Sequence, residues 1–391
     1  MILRFFREQW QKKALWIPLA FAFLLVSLSR IDDGGTNARA RFATLRAMSD
    51  YQTFQIDEFV DWTEDWAQTP DGHYYSNKAP GPTLIAFPVF WGIDQVLWKK
   101  QDKLRDIKGR RQEPRGIHKV AISTLYQVLP FLILSLCALG FVISARASPL
   151  GYLFSGIAIF FGNTAAVLMS SYMGNPFAAM AMMGLVVAYF YRHLAFASLA
   201  FGWMLLSDYP TALILLPFLN LFWPEIKKLG FFSSAKLIFL GALIPGALWI
   251  WYHTVCFGSP FALPFSFKVA AIEGTVSGGS SALGGKTSLL PNPAWLAELL
   301  FGTKRGLLFT QPWLLLCAVL PFFWKIPELR LRRLHHFAVM SLAILVFENA
   351  GFPGWHGGGS PGPRYLSAAL PLFGLFLPHL FQVLQIGRAH V

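Results

Sequence analysis

The chain has 391 residues and a formal net charge of +13, yet only 14% of its residues are charged and 55% are hydrophobic. A soluble domain typically carries about 25% charged residues, so most of this surface faces something other than water. The positive charge then belongs to loops holding the cytoplasmic side of a bilayer rather than to a nucleic-acid partner, and with two of the three cysteines (Cys137, Cys256, Cys317) in apolar runs, neither a disulfide framework nor a thiolate metal site is expected.

Apolar runs fall near 14–29, 83–98, 118–144, 149–168, 176–191, 195–207, 210–223, 236–252, 307–324, 337–349 and 366–384. Their lengths and composition predict an all-α polytopic membrane protein of about 10–11 transmembrane helices, and no alternating strand pattern suggests a β-barrel. The first run follows Arg4, Arg7, Lys12 and Lys13 and lacks a small-residue cleavage site. It reads as an uncleaved first helix with a cytoplasmic N-terminus. Residues 30–82 follow as a long first outer loop, with further outer loops at 253–306 and 350–365 of a single domain over 1–385. The last six residues, 386–391, look like a translated adapter, so a C-terminal truncation is expected.

Between these loops the orientation of the first half stays open. Residues 99–119 hold nine Lys and Arg against three acids, which places them inside if 83–98 crosses the membrane. The alternative lays 83–98 along the outer interface, folds 195–223 as a hairpin, and puts Arg146 and Arg192 inside. The small-residue tract at 274–285 reads as a flexible loop, either a lid or a plain connector.

The first outer loop carries nine of the twenty acids: Asp32, Asp33, Asp50, Asp57, Glu58, Asp61, Glu64, Asp65 and Asp71. Most belong to a solvated face. Asp32 and Asp33 directly follow the first membrane helix, where partial desolvation raises a carboxylate's pKa and suits it to base work. A helical pattern opens at Asn37, and Arg39, Arg41 and Arg46 supply planar forks for either a phosphate or the loop's own acids. Tyr74, Tyr75 and Lys78 precede the Pro80-Gly81-Pro82 turn, and Lys78 there suits a phosphate as a point charge, or else a lipid headgroup. Late in the chain, Lys304-Arg305-Gly306 and Trp355-His356 through Arg364-Tyr365 bring glycines, cations and aromatics to the same side. Asp208-Tyr209-Pro210 interrupts an apolar stretch, as a hairpin tip or an intramembrane acid.

Taken in order, these segments resemble the GT-C superfamily of membrane glycosyltransferases, in the branch of protein O-mannosyltransferases and aminoarabinose lipid A transferases. The likeness rests on the acidic first outer loop and on Tyr75-Ser-Asn-Lys-Ala-Pro-Gly81, which is similar to that branch's Tyr-Phe-x-Lys-Pro-Pro-like segment. Phe257-Gly-Ser-Pro260, Lys304-Arg-Gly-Leu307 and Gly359-Ser-Pro-Gly-Pro-Arg-Tyr-Leu366 look like a bacterial subgroup of it. The resemblance implies a multi-pass protein of the bacterial inner membrane that transfers a sugar, with inversion, from a polyprenyl-phosphate donor to a lipid, glycan or protein acceptor. A first-loop aspartate would act as base, Asp33 first and Asp57 next. Lys78, Arg364 and Arg41 would hold the donor phosphate, and Asn37, Tyr74, Tyr75, Arg305 and Tyr365 would line the substrate. Asn37 falls where that branch places its catalytic aspartate, which keeps a non-catalytic relative in view. A lipid or solute transporter is the other alternative, disfavoured by the absence of paired repeats. No cofactor is demanded; a divalent cation would find oxygen ligands among the loop acids.

Overall fold

A computed structural model describes residues 16–29, 35–97, 116–142, 149–269, 290–317 and 328–380. The expected Asp33, the basic segment around 99–115 and the tract 274–285 lie outside these residues. The described chain is mostly helical. Three helices are long and apolar enough to cross a membrane, Gly116–Val142, Gly174–Tyr191 and Phe231–Phe257. In chain order the helices of eight residues or more are α1 (Trp16–Ser29), α2 (Gly35–Tyr51), α3 (Gly81–Leu97), α4 (Gly116–Val142), α5 (Pro149–Phe160), α6 (Gly174–Tyr191), α7 (Leu194–Ser207), α8 (Leu215–Leu229), α9 (Phe231–Phe257), α10 (Pro293–Phe301) and α11 (Leu329–Ala350).

Helix α6 is the hub. It is apolar all round and 83% of its apolar window is buried inside the protein, against 17% for α9, whose Phe239, Ile244 and Ile250 stand uncovered. A helix apolar on every side needs protein or lipid on every side; α6 has protein, and α9 presents the face a lipid would cover. Arg192 ends α6 in the left-handed region at φ 55°, and α7 turns straight back along it. Helix α9 then runs parallel to α7. The Gly241 Cα approaches the Ala195 carbonyl, Gly202 takes the Pro245 ring, and the Tyr209 hydroxyl meets His253 Nε2 at 3.2 Å. Missing side chains at Gly202 and Gly241 permit this approach, since a Cβ at either would fall within 2.4 Å of its neighbour.

Helix α4 also runs in the direction of α6. The Gln127 amide, in a π-helical turn at Thr124–Val128, donates to the carbonyls of Leu168, Met169 and Ser171 at 2.8–3.1 Å, while Phe141 stacks on Phe190 at the far end. His118 lies nine residues before Gln127, about 13 Å further along the axis at the usual helical rise, and so overhangs the end of the bundle. There it meets Asp94 near the C-terminus of α3, at 3.0 Å. The N-terminus of α3 is at the same end, because Gly81 packs against the Leu206 backbone. Both ends of α3 therefore lie at one end of the bundle, and α3 does not run down it. Residues 81–97 thus lie across the end of the bundle, and α7 and α8 fold back on each other as a hairpin.

Helix α2 lies alongside α3 over the same end. Its Ala38, Phe42 and Leu45 pack against Ala86 and Phe90 of α3, while Ala43 and Ala47, also fully buried, pack against Ile56 and Phe59 of the first loop. Asp94 holds the layer together: its carboxylate takes Arg46 Nη1 at 2.7 Å, Ser49 Oγ at 2.9 Å and His118 at 3.0 Å. Beyond α2 the first loop forms a small antiparallel sheet, which periodicity had not shown. Strand β1 (Trp66–Gln68) pairs on one side with β2 (Tyr74–Ser76) and on the other with β3 (Lys268–Val269). The sheet rests on the end of α9 through Ala67, Tyr75, Tyr252 and Phe257.

Candidate functional site

The strand β2 ends at Ser76, and two residues later Lys78 Nζ meets Asp65 Oδ1 at 2.8 Å. Asp65 is fixed from two directions. The Thr63 hydroxyl accepts from the Asp65 amide at 3.0 Å and donates to the Thr36 carbonyl at 2.7 Å, while the Asp65 carbonyl accepts from the Asn77 amide at 3.2 Å. The Thr36 side chain adds a hydrogen bond to the carboxylate. The ion pair thus sits against the N-terminus of α2. Burial alone would raise the Asp65 pKa, but the Lys78 charge and hydrogen bond, with Arg364 and Thr36, hold it below the ordinary value.

Arg41, one turn into α2, is buried. Its Nη1 donates to the Ala79 carbonyl next to Lys78, and its Nε to Asn37 Oδ1 at 3.4 Å. Its Nη2 would lie 2.7 Å from a Cβ on Gly174, the first residue of α6, so only glycine fits there. Asn37 and Arg41 therefore act on each other. Arg46, the third fork, pairs with Asp94 and Asp50 instead.

Arg364 arrives from the opposite end of the sequence. The turn before it uses Gly357, Gly358 and Gly362, all with positive φ. A Cβ on Gly362 would come within 2.7 Å of Thr164 Oγ1, so this loop is seated tightly on the bundle. The Arg364 guanidinium lies over the Tyr365 ring at 5.0 Å and donates through Nη2 to the Tyr365 hydroxyl at 3.1 Å, while its Nε is buried without a partner. Arg305 is tied into the same loop by a bond to the His356 carbonyl. Burial, then the charges of Arg305 and Arg364, lower the pKa of His356 and keep it neutral.

Asp208 caps the end of α7, where the chain turns into the short 3-10 segment Tyr209–Ile214. Its Oδ2 accepts from Asn175 Nδ2 at 2.8 Å. Burial is the dominant influence and raises its pKa to about 6, against the pull of Asn175, Arg364, Arg41 and Lys78. Asp65 and Asp208 thus share two cations, Lys78 and Arg364, yet are pushed in opposite directions. No family model, curated protein or solved structure matches the chain.

The remaining expected residues occupy other positions. Asp57 is exposed at the start of the 3-10 segment Asp57–Trp62, its Oδ2 2.7 Å from His73 Nδ1 and its Oδ1 accepting from the Tyr74 amide. The Tyr74 ring stands edge-on to Trp66 at 5.0 Å, and the Tyr75 ring is buried against Phe257 with its hydroxyl taken by Gln55 at 3.3 Å. Both rings are explained by packing of the sheet. Among the described residues no group of three or more His, Cys, Asp and Glu is placed to hold a metal ion. Asp65, Asn175 and Asp208 complete the cluster but were absent from the expected site. Asp208 was visible as a charge inside an apolar stretch. Asn175 had only its place beside Pro176 at a helix start, and Asp65 was one acid among nine.

Proposed function

We propose that the chain is a membrane glycosyltransferase of the GT-C type, taking its sugar from a polyprenyl-phosphate donor at the extracytoplasmic face of a bacterial inner membrane. In this reading its helices form a multi-pass bundle with a cytoplasmic N-terminus, and the acceptor is a lipid, glycan or protein. One observation carries the proposal: at one end of an apolar helical bundle, Lys78 and Arg364 act on both Asp65 and Asp208, and Arg41 joins them at Asp208, so three cations from separate segments gather about one pair of acids. Three cations in one partly desolvated place suit a phosphate with a lipid tail, whose charge grows as it leaves the sugar. The buried Arg364 Nε adds an N–H that a phosphate oxygen would satisfy.

In the reaction the acceptor oxygen attacks the anomeric carbon as its proton passes to a carboxylate. The bond from that carbon to the phosphate oxygen breaks, and the electron pair leaves with polyprenyl phosphate, whose charge the cations receive. No covalent enzyme intermediate is required.

The test uses purified full-length chain and undecaprenyl phosphate as the probe. Lys78→Ala and Arg364→Ala should each weaken binding by about 10- to 100-fold, the loss of one charge-assisted hydrogen bond. Unchanged binding in both variants would refute the site. Asn37 beside Arg41 supports a second reading, a protein that binds lipid-linked sugar without transferring it; it predicts the same binding losses with no transfer by the wild type.

A further inference from the structure

Resting on the reading that this site transfers sugar from a phosphate-linked donor, we propose that Asp208, rather than Asp57 or Asp65 of the first outer loop, is the base that takes the acceptor's proton. Two described first-loop acids, Asp65 and Asp57, have other partners. Asp65 is engaged by Lys78 at 2.8 Å, so it shapes the cation that meets the phosphate. Asp57, 40% exposed at the start of the 3-10 segment Asp57–Trp62, is engaged by His73 and the Tyr74 amide of the hairpin. Asp208 instead holds a neutral donor, Asn175, and is ion-paired with none of the described cations, although Arg41, Lys78 and Arg364 all act on it. A base needs this arrangement: near enough to the positive site to reach the sugar's attacking face, yet without a salt bridge that would quench its basicity.

The groups facing Asp208 come from every side. Arg41 stands on α2, Lys78 follows β2, Asn175 opens α6, Glu348 reaches from the end of α11, and Arg364 closes the late loop. Asn175 and Asp208 are locked in place by the contact of Gly174 with the Ser207 carbonyl, where a Cβ would come within 2.1 Å. The carboxylate is thereby held at a fixed position relative to Arg41. Proton transfer to Asp208 leaves it neutral, a state that its burial favours.

Full-length Asp208→Asn is compared with wild type in two assays: binding of undecaprenyl phosphate, and transfer from undecaprenyl-phosphate mannose and undecaprenyl-phosphate aminoarabinose to bacterial envelope extract. The expected result is binding within about threefold of wild type and transfer reduced by at least about 100-fold, the range of a lost general base. The kcat/KM of the wild type should rise with pH through about 6. Asn175→Ala, which removes a bond to the ionised form, should move that limb to higher pH, a shift that a purely structural role would not give. Transfer by Asp208→Asn within threefold of wild type, or a limb unmoved by Asn175→Ala, overturns the assignment while leaving the donor site intact. Wild-type chain that binds no undecaprenyl phosphate overturns the donor reading itself, and this inference with it.

Discussion

Replacing Asp94 with leucine removes the one carboxylate that joins α2, α3 and the start of α4. The Arg46 and Asp94 side chains are 7% and 5% exposed and 2.7 Å apart, so the variant leaves a guanidinium in a site built for an ion pair. Breaking such a pair typically costs about 3–5 kcal/mol. Asp50, 3.7 Å from the same nitrogen and 19% exposed, offsets part of this, while Ser49 loses a bond worth about 1 kcal/mol. The expected loss is about 3 kcal/mol, read by denaturant unfolding in detergent micelles and by faster amide exchange along α2. Adding Arg46→Met should recover at least about 1 kcal/mol, since the double variant no longer buries an unpaired charge. Arg41 stands five residues before Arg46 on the same helix, so donor binding should weaken along with stability. A loss below about 1 kcal/mol for Asp94→Leu, or a double variant as unstable as the sum of the single ones, would refute the clamp.

Gly174→Ala should cost about 3 kcal/mol and weaken undecaprenyl phosphate binding, because the new methyl would meet the Ser207 carbonyl and the Arg41 guanidinium; wild-type stability and binding would show that the approach is not tight. Tyr75→Phe loses only a 3.3 Å bond to Gln55 and should keep stability within about 1 kcal/mol and transfer near wild type, whereas Tyr75→Ala should cost about 3–5 kcal/mol. Loss of transfer in Tyr75→Phe with stability intact would return that hydroxyl to the substrate. The His73 pKa is raised, first by its hydrogen bond to Asp57 and then by the charges of Asp57 and Asp71. Protonated His73 therefore steadies the hairpin below the ordinary histidine value near 6.5. That contribution fades as pH rises through the raised value, and added salt should shrink it because the pair is exposed. NMR titration of His73 should return toward the ordinary value in Asp57→Asn; an unchanged titration would refute the pairing.

Much of the bundle was legible because apolar runs between basic or Gly/Pro-rich loops encode helices directly. Asp208 was legible as a break, and it stands at the turn between α7 and the segment that follows. The course of 83–98 was not legible, since nine cations in 99–119 argued for a crossing. What decides it is Asp94 meeting Arg46, 48 residues earlier, and His118, 24 residues later. Charge counting reads single loops; it has no access to pairings across the fold. The same holds at the site. Lys78, Arg41 and Arg364 stood out by residue type and position, but the choice of Asp65 as partner depends on Thr36 and Thr63, and that of Asp208 on Asn175, contacts no local pattern specifies. Tyr74 and Tyr75 show the reverse error. Beside a lysine and a tight turn they read as ligands, yet alternation along a strand is enough to explain them.

Strand β3 sits on the far edge of β1, pairing Val269 with Ala67 and Lys268 with Gln68. Ala67 is two residues from Asp65, and Asp65 is what Lys78 leans on. Strand β3 is therefore linked to Lys78 through a single short strand. A shift of β3 would reach Asp65 through β1, whereas Arg41 and Arg364 are anchored in a helix and in the glycine turn. In the proposed transfer, an acceptor seated against β3 would thereby have a hold on one cation of the three, with no need to touch the donor.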